Sequence, residues 1–162
     1  MKRFASDLLP VCFDAETWLF LWDIKPKDDQ LKLFDILASW LKPEGILIPE
    51  EIFREIEAKN ELLHDWLKSN SNATILLDEA IENEVSAILL KYPLLIDPDQ
   101  IGFQSDVFLF ATAIQCNASI MSIRKDWKSL IDRYDLSTIC ASFPIKLTML
   151  PSIDDLLAMR KN

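Results

Sequence analysis

In the stretch LLPVCFDAETWLFLW, from Leu8 to Trp22, an aspartate, Asp14, interrupts an apolar run. The Leu9–Phe13 segment has the apolar character of a short buried strand, and Asp14 ends it. A carboxylate at the edge of a core is unfavourable unless it is hydrogen-bonded or neutralised. Asp14 can therefore cap a helix that begins near Glu16, pair with a basic side chain or hold a metal ion.

The composition is that of a globular protein. The chain has 162 residues, of which 50% are hydrophobic and 27% are charged, and we expect one domain over residues 1–162. Only two glycines occur, which argues against a glycine-rich phosphate loop and against an all-β fold with many tight turns. The formal net charge of −9 excludes nucleic-acid binding through general electrostatics, so any such contact needs a local basic patch or metal ions.

The cysteines and the apolar runs favour a cytoplasmic protein. Cys12, Cys116 and Cys140 lack the spacing of a metal site and lie among apolar residues, so we expect buried free thiols in a reducing compartment. Asp7 and Asp14 break the apolar region that a signal peptide would need. No apolar run approaches the roughly 20 residues that cross a membrane.

Short apolar strands alternate with amphipathic helices along the chain. The predicted strands are Leu9–Phe13, Ile46–Ile48, Ala118–Ile123 and Ile145–Leu150, and Ala73–Leu77 is ambiguous. The predicted helices are Asp28–Leu41, Glu50–Lys59, Glu61–Lys68, Glu79–Leu90, Asp106–Cys116 and a last helix from Ser152. This alternation predicts an α/β fold whose parallel sheet is covered on both faces.

Three acids occupy positions where an α/β fold places its ligands. Asp14 follows the first strand, Glu55 lies one turn into the helix after the second, and Asp106 opens the most apolar helix. Ligands of open α/β sheets bind at the carboxyl ends of the strands, so we expect these carboxylates to converge there. Because clustered carboxylates repel each other, a divalent cation, Mg²⁺ or Mn²⁺, would stabilise them. The alternatives are a helix cap at Asp14, a first-turn acid at Asp106 and an exposed Glu55–Lys59 pair.

The chain resembles the PIN-domain family of metal-dependent nucleases over Val11–Leu150. The resemblance rests on the order of VCFDAETWL, ILIPEEIFREIE and QSDVFLFATAIQCNASIMSIRKDW, and ICASFPIKLTML is similar to the end of one branch of that family. It implies a three-layer α/β/α sandwich with a short, mostly parallel central sheet. It also implies that Asp14, Glu55 and Asp106 are catalytic, metal-binding acids.

The fourth acid of the family pattern is displaced in this chain. The family often has TxDxxF after the fourth strand, and Arg124 stands at the position of that aspartate. Either Asp126 replaces it as a fourth metal ligand, or the site has three acids and holds one metal ion.

The resemblance implies a metal-dependent endoribonuclease, a hydrolase of RNA phosphodiester bonds from a toxin–antitoxin pair. A metal-bound water would attack the phosphodiester. Arg54, Arg124, Lys125 and Lys128 would bind the substrate phosphates. The implied partners are an RNA substrate, an antitoxin protein and a second copy of the chain. The alternative is a catalytically silent PIN-like module for binding or assembly, which Arg124 and the charge of −9 favour.

Asp14 gives the sharpest test of the metal hypothesis. If Asp14 is a metal ligand among repelling acids, Asp14→Asn leaves the metal-free stability unchanged or raises it. We therefore expect that substitution to remove metal-dependent cleavage of RNA without weakening the fold.

Overall fold

Five parallel strands form the centre of the protein. A computed structural model of the chain describes residues 9–96, 105–124 and 136–161. In spatial order the strands are β3 (Thr74–Ile75), β2 (Ile46–Pro49), β1 (Val11–Phe13), β4 (Ser119–Ser122) and β5 (Leu147–Met149), and all four neighbouring pairs are parallel. β1 (Val11–Phe13) is the middle strand, with β2 (Ile46–Pro49) on one side and β4 (Ser119–Ser122) on the other. β1 has strand neighbours on both edges and helices packed on the faces of the sheet, and its three residues are fully buried.

Helices connect and flank these strands, as the sequence pattern predicted. The helices are α1 (Ala15–Trp22), α2 (Lys27–Trp40), α3 (Glu50–Lys59), α4 (Glu61–Asn70), α5 (Glu79–Lys91), α6 (Ser105–Cys116), α7 (Leu136–Ser142) and α8 (Ile153–Leu157). The outer strands are β3 (Thr74–Ile75) and β5 (Leu147–Met149). The ambiguous segment Ala73–Leu77 thus contains a two-residue strand, β3, at one edge of the sheet. The sequence pattern did not predict helix α7.

The core lies between the sheet and the helices packed on it. α6 contacts β1, β2 and β4, which explains why this helix is apolar almost all round. The fully buried Trp18 of α1 packs on Phe13, with ring centroids 5.0 Å apart. Within the three described ranges, none of the helices has the length and apolar character needed to cross a membrane.

The three thiols are free, although their burial differs from the prediction. Cys12 and Cys140 are buried, whereas Cys116 at the end of α6 is only partly buried. Burial raises the pKa of the Cys12 thiol far above its ordinary value, so this group stays protonated in the core.

Candidate functional site

The register of the sheet brings Asp14 to the end of β4. Phe13 pairs with Met121 across β1 and β4, so the next residues of the two strands, Asp14 and Ser122, are also neighbours. Ser122 Oγ donates a hydrogen bond to Asp14 Oδ2 at 3.0 Å. Both residues stand at the carboxyl edge of the parallel sheet, where the sequence predicted the site.

Asp14 also caps α1. Its Oδ1 accepts a hydrogen bond from the backbone N–H of Thr17 at 3.1 Å and a second one from the Thr17 hydroxyl. Thr17 Oγ1 in turn accepts from the backbone N–H of Ile123 at 3.1 Å, which ties the cap to the chain after β4. The carboxylate is only 1% exposed, and the helix N-terminus favours its negative charge.

Arg124 lies two residues beyond β4 and bridges two of the predicted acids. Its Nε donates to Asp14 Oδ2 at 2.8 Å, and its Nη2 donates to Asp106 Oδ1 at 2.9 Å. A weaker contact of 3.4 Å joins Nη1 to the second oxygen of Asp106, and Glu16 Oε2 lies 3.6 Å from Nε. The guanidinium therefore lies between carboxylates from α1 and α6.

These contacts depart from the role predicted for Arg124. The sequence predicted an arginine facing substrate phosphates, whereas its guanidinium faces Asp14 and Asp106. Burial lowers the pKa of Arg124, but the charges of Asp106 and Asp14 more than offset that effect, so its pKa is raised above the ordinary value. Arg124 is a permanent cation in this cleft.

Glu55 approaches the same cleft from α3 with different partners. Ser105, which precedes Asp106, donates from Oγ to Glu55 Oε1 at 3.3 Å, and Lys59 Nζ lies 3.8 Å from Glu55 Oε2. Burial raises the pKa of Glu55; Lys59 lowers it, and the nearby charge of Asp106 raises it further. The pKa of Asp106 is also raised by burial, although Arg124 opposes this shift. We name these side chains, Asp14, Glu55, Asp106 and Arg124, the acid cleft.

The donor set does not fit a divalent cation in this arrangement. A Mg²⁺ ion lies about 2.1 Å from its oxygen ligands. Between Asp14 and Asp106 that space holds guanidinium nitrogens, 2.8 and 2.9 Å from the oxygens the ion would use. Among residues 9–96, 105–124 and 136–161, no three His, Cys, Asp or Glu side chains are grouped to hold a metal ion.

Of the remaining predicted residues, one lies on the surface of α3 and three fall outside the described part of the chain. Arg54 is exposed on α3 and pairs with Glu51 at 3.2 Å, whereas Lys125, Asp126 and Lys128 fall outside the described residues. The sequence did not predict Thr17 and Ser122 as site residues. The spacing of Asp14 and Thr17 could have indicated their contact, because a capping side chain accepts a hydrogen bond from the backbone N–H three residues later in the chain.

Comparisons with known proteins agree with this architecture. The chain is similar to the crystal structure of VapBC2 from Rickettsia felis bound to a DNA fragment from their promoter. The TM-score is 0.50 at 13% sequence identity, and the match covers 86% of this chain and 97% of that chain. The fold is PIN-like. No protein-family model matches the sequence, and no curated protein does.

Proposed function

We propose that this chain is a PIN-like binding module, the catalytically silent alternative, in which an arginine takes the place of a metal ion. The observation that carries the proposal is the Arg124 guanidinium between Asp14 and Asp106. The pattern of the family puts an acid at this position, and this chain has a cation there. Both oxygens of Asp14 and both oxygens of Asp106 accept hydrogen bonds from protein donors.

The proposed partner is a protein of the antitoxin kind. The similar solved structure is VapBC2 bound to promoter DNA, and we propose that this chain likewise acts as one component of a toxin–antitoxin type complex. With a net charge of −9, the chain would depend on its partner for any contact with DNA. Assembly with a second copy and a cytoplasmic location remain predictions from the sequence.

A metal-dependent endoribonuclease is the second candidate, and Glu55 favours it. Glu55 belongs to the acid cleft, where it accepts a hydrogen bond from Ser105 and its pKa responds to the charge of Asp106, so a third predicted carboxylate is retained near Asp106. In this candidate Asp14, Glu55 and Asp106 hold Mg²⁺ or Mn²⁺, which requires that Arg124 leave its present position. RNA would be the substrate.

A cleavage assay separates the two candidates. The purified chain is incubated with labelled single-stranded RNA and millimolar Mn²⁺ or Mg²⁺, with EDTA and Asp106→Asn as controls, and the products are resolved on a gel. We expect no difference between the wild-type chain, the variant and the EDTA sample. Cleavage by the wild-type chain that requires the metal and is lost in Asp106→Asn would establish the nuclease and overturn the binding module.

A further inference from the structure

A surface pocket lies between the end of α1, the helix α2 and the helix α4. In the part of the chain that the structure describes, its volume is about 190 Å³. Three aromatic side chains line it, Trp22, Phe34 and Trp66. An apolar cavity of about 150 Å³ can hold a benzene molecule, so this pocket has room for a slightly larger planar ring.

The aromatic rings form the floor and two walls of the pocket. Phe34 is only 3% exposed, and its ring meets the rings of Trp22 and Trp66 almost at right angles, with centroid distances of 5.1 and 4.8 Å. The two indole rings are partly exposed, and they lie 6.4 Å apart with an angle of 53° between their planes. A flat aromatic ligand can therefore lie against an indole wall with its edge towards Phe34.

The pocket also contains a hydrogen-bond acceptor that lacks a donor. Gln30 lines the pocket from α2 and is 1% exposed, and its Oε1 has no hydrogen-bond partner among the described residues. Trp18 Nε1 is likewise buried without a described partner, but Trp18 does not line the pocket. Because an unpaired buried acceptor is unfavourable, a ligand that brings one N–H group would stabilise Gln30.

The charges around the pocket favour a neutral ligand. Lys27 Nζ lies 5.4 Å from the centre of the Trp22 ring, so a cation of the chain itself already faces this wall. Asp28 and Asp29 in the first turn of α2 oppose a phosphate group at the start of that helix. Asp35, which also lines the pocket, is neutralised by an ion pair with a lysine.

We infer that this pocket binds an indole-type ligand, a neutral bicyclic aromatic ring with one N–H group. The ring packs on Trp22 and Trp66, and the N–H donates to Gln30 Oε1. A purine base is a poorer match, because it has several polar atoms to satisfy and Gln30 supplies one acceptor. The pocket is separate from the proposed function, since no residue of the acid cleft lines it.

Isothermal titration calorimetry on the full chain tests the pocket with indole and benzofuran, which has the same shape but an oxygen in place of the N–H. We expect a Kd of about 10–500 µM for indole. Benzofuran should bind roughly three- to tenfold more weakly, because it cannot donate to Gln30. Indole at about ten times its Kd should also raise the Tm by about 3–6 °C.

Three variants locate the binding. Gln30→Leu should bind indole and benzofuran equally, and it should fold because an apolar group replaces an unpaired polar one. Trp66→Leu should bind indole about tenfold more weakly, since one aromatic wall is lost. Gln115→Leu, a matched change at an exposed glutamine of α6, should keep the wild-type preference for indole.

Two further ligands define the chemistry and its source. Tighter binding of N-acetyltryptophanamide than of indole would identify a tryptophan side chain of a partner as the source of the ring, and weaker binding a free small molecule. Tighter binding of adenine than of indole would overturn the assignment. So would equal affinities of the wild-type chain for indole and benzofuran, or a preference for indole that persists in Gln30→Leu. The Gln30→Leu comparison decides the matter even if Trp66→Leu does not fold.

Discussion

Asp14 combines a helix cap with one half of a buried ion pair, and these two roles can be separated by substitution. Asn accepts the hydrogen bonds of a cap about as well as Asp, but it lacks the charge that Arg124 faces. Asp14→Asn should lower the free energy of unfolding by on the order of 3 kcal/mol, the usual effect of removing one partner of a buried pair. Asp14→Ala should lose about 1 kcal/mol more, because the cap is lost as well.

Urea unfolding in EDTA measures both losses, and Asp78 provides the control. Asp78 caps α5 by accepting from Ile81 N at 2.9 Å, and it is exposed. Asp78→Asn should therefore stay within about 0.5 kcal/mol of the wild-type chain. If Asp14→Asn is as stable as the wild-type chain, repulsion among the acids governs the cleft and the Arg124 bridge is unimportant.

Glu55 predicts a pH dependence of stability. Its pKa is raised by burial above the ordinary value of 4.5, so over a window above that value the folded state binds more protons than the unfolded state. The free energy of unfolding therefore falls as pH rises through this window. The pKa of Asp106 is also raised, so Asp106 acts in the same direction. Glu55→Gln keeps an acceptor for Ser105 and should stabilise the fold more at pH 7 than at pH 5. Equal effects at the two pH values, measured by urea unfolding, would contradict this assignment.

The sequence predicted where the acids lie better than it predicted their electrostatics. Asp14 and Asp106 follow from local rules, since one ends a strand and the other opens a helix. The partner of Asp14 is 110 residues away, and nothing local distinguishes an arginine that faces phosphates from one that faces carboxylates. That contact reverses the sign of the expected effect of Asp14→Asn on stability.

Helices and strands differ in how well their own sequences define them. α2 spans Lys27–Trp40 against a predicted Asp28–Leu41, because its apolar residues recur at helical spacing over almost four turns. β3 has two residues, Thr74 and Ile75, which is too short for any periodicity, and its pairing with β2 defines it as a strand. The apolar pattern thus predicted the α/β order, whereas the edges of the sheet depend on tertiary contacts.

The turn between α2 and β2 contains a glycine that cannot accept a side chain. A Cβ on Gly45 would lie 2.1 Å from the backbone oxygen of Trp40. Gly45 also accepts a hydrogen bond from Val11 N at 2.9 Å, so a shift of this turn would disturb the start of β1. Gly45→Ala should lower the free energy of unfolding by about 1–3 kcal/mol. Glu44→Ala, at the exposed neighbouring position, should stay within about 0.5 kcal/mol, and equal effects of the two would show that the turn adapts.

At the scale of the whole molecule, net charge limits the partners that the chain can bind alone. With a charge of −9, the protein repels a phosphate backbone. Basic proteins bind nucleic acids non-specifically with Kd values of roughly 10⁻⁴–10⁻⁶ M, and this chain should bind more weakly than that range. Fluorescence anisotropy with labelled single-stranded RNA and duplex DNA at 100 µM protein checks the expectation. Saturable binding at micromolar protein would reveal a basic surface strong enough to overcome the overall charge.

The position of β1 at the centre of the sheet has a consequence for how the chain is made. β1 acquires one neighbour when β2 emerges, but Val11 pairs on its other side with Ser119, roughly 100 residues later in synthesis. At ribosomal synthesis rates of about 5–20 residues per second, the edge of β1 that pairs with β4 stays unpaired for roughly 5–20 s after β1 is made. During that interval an open strand edge can pair with other nascent chains, so this protein should depend on chaperones more than its size suggests.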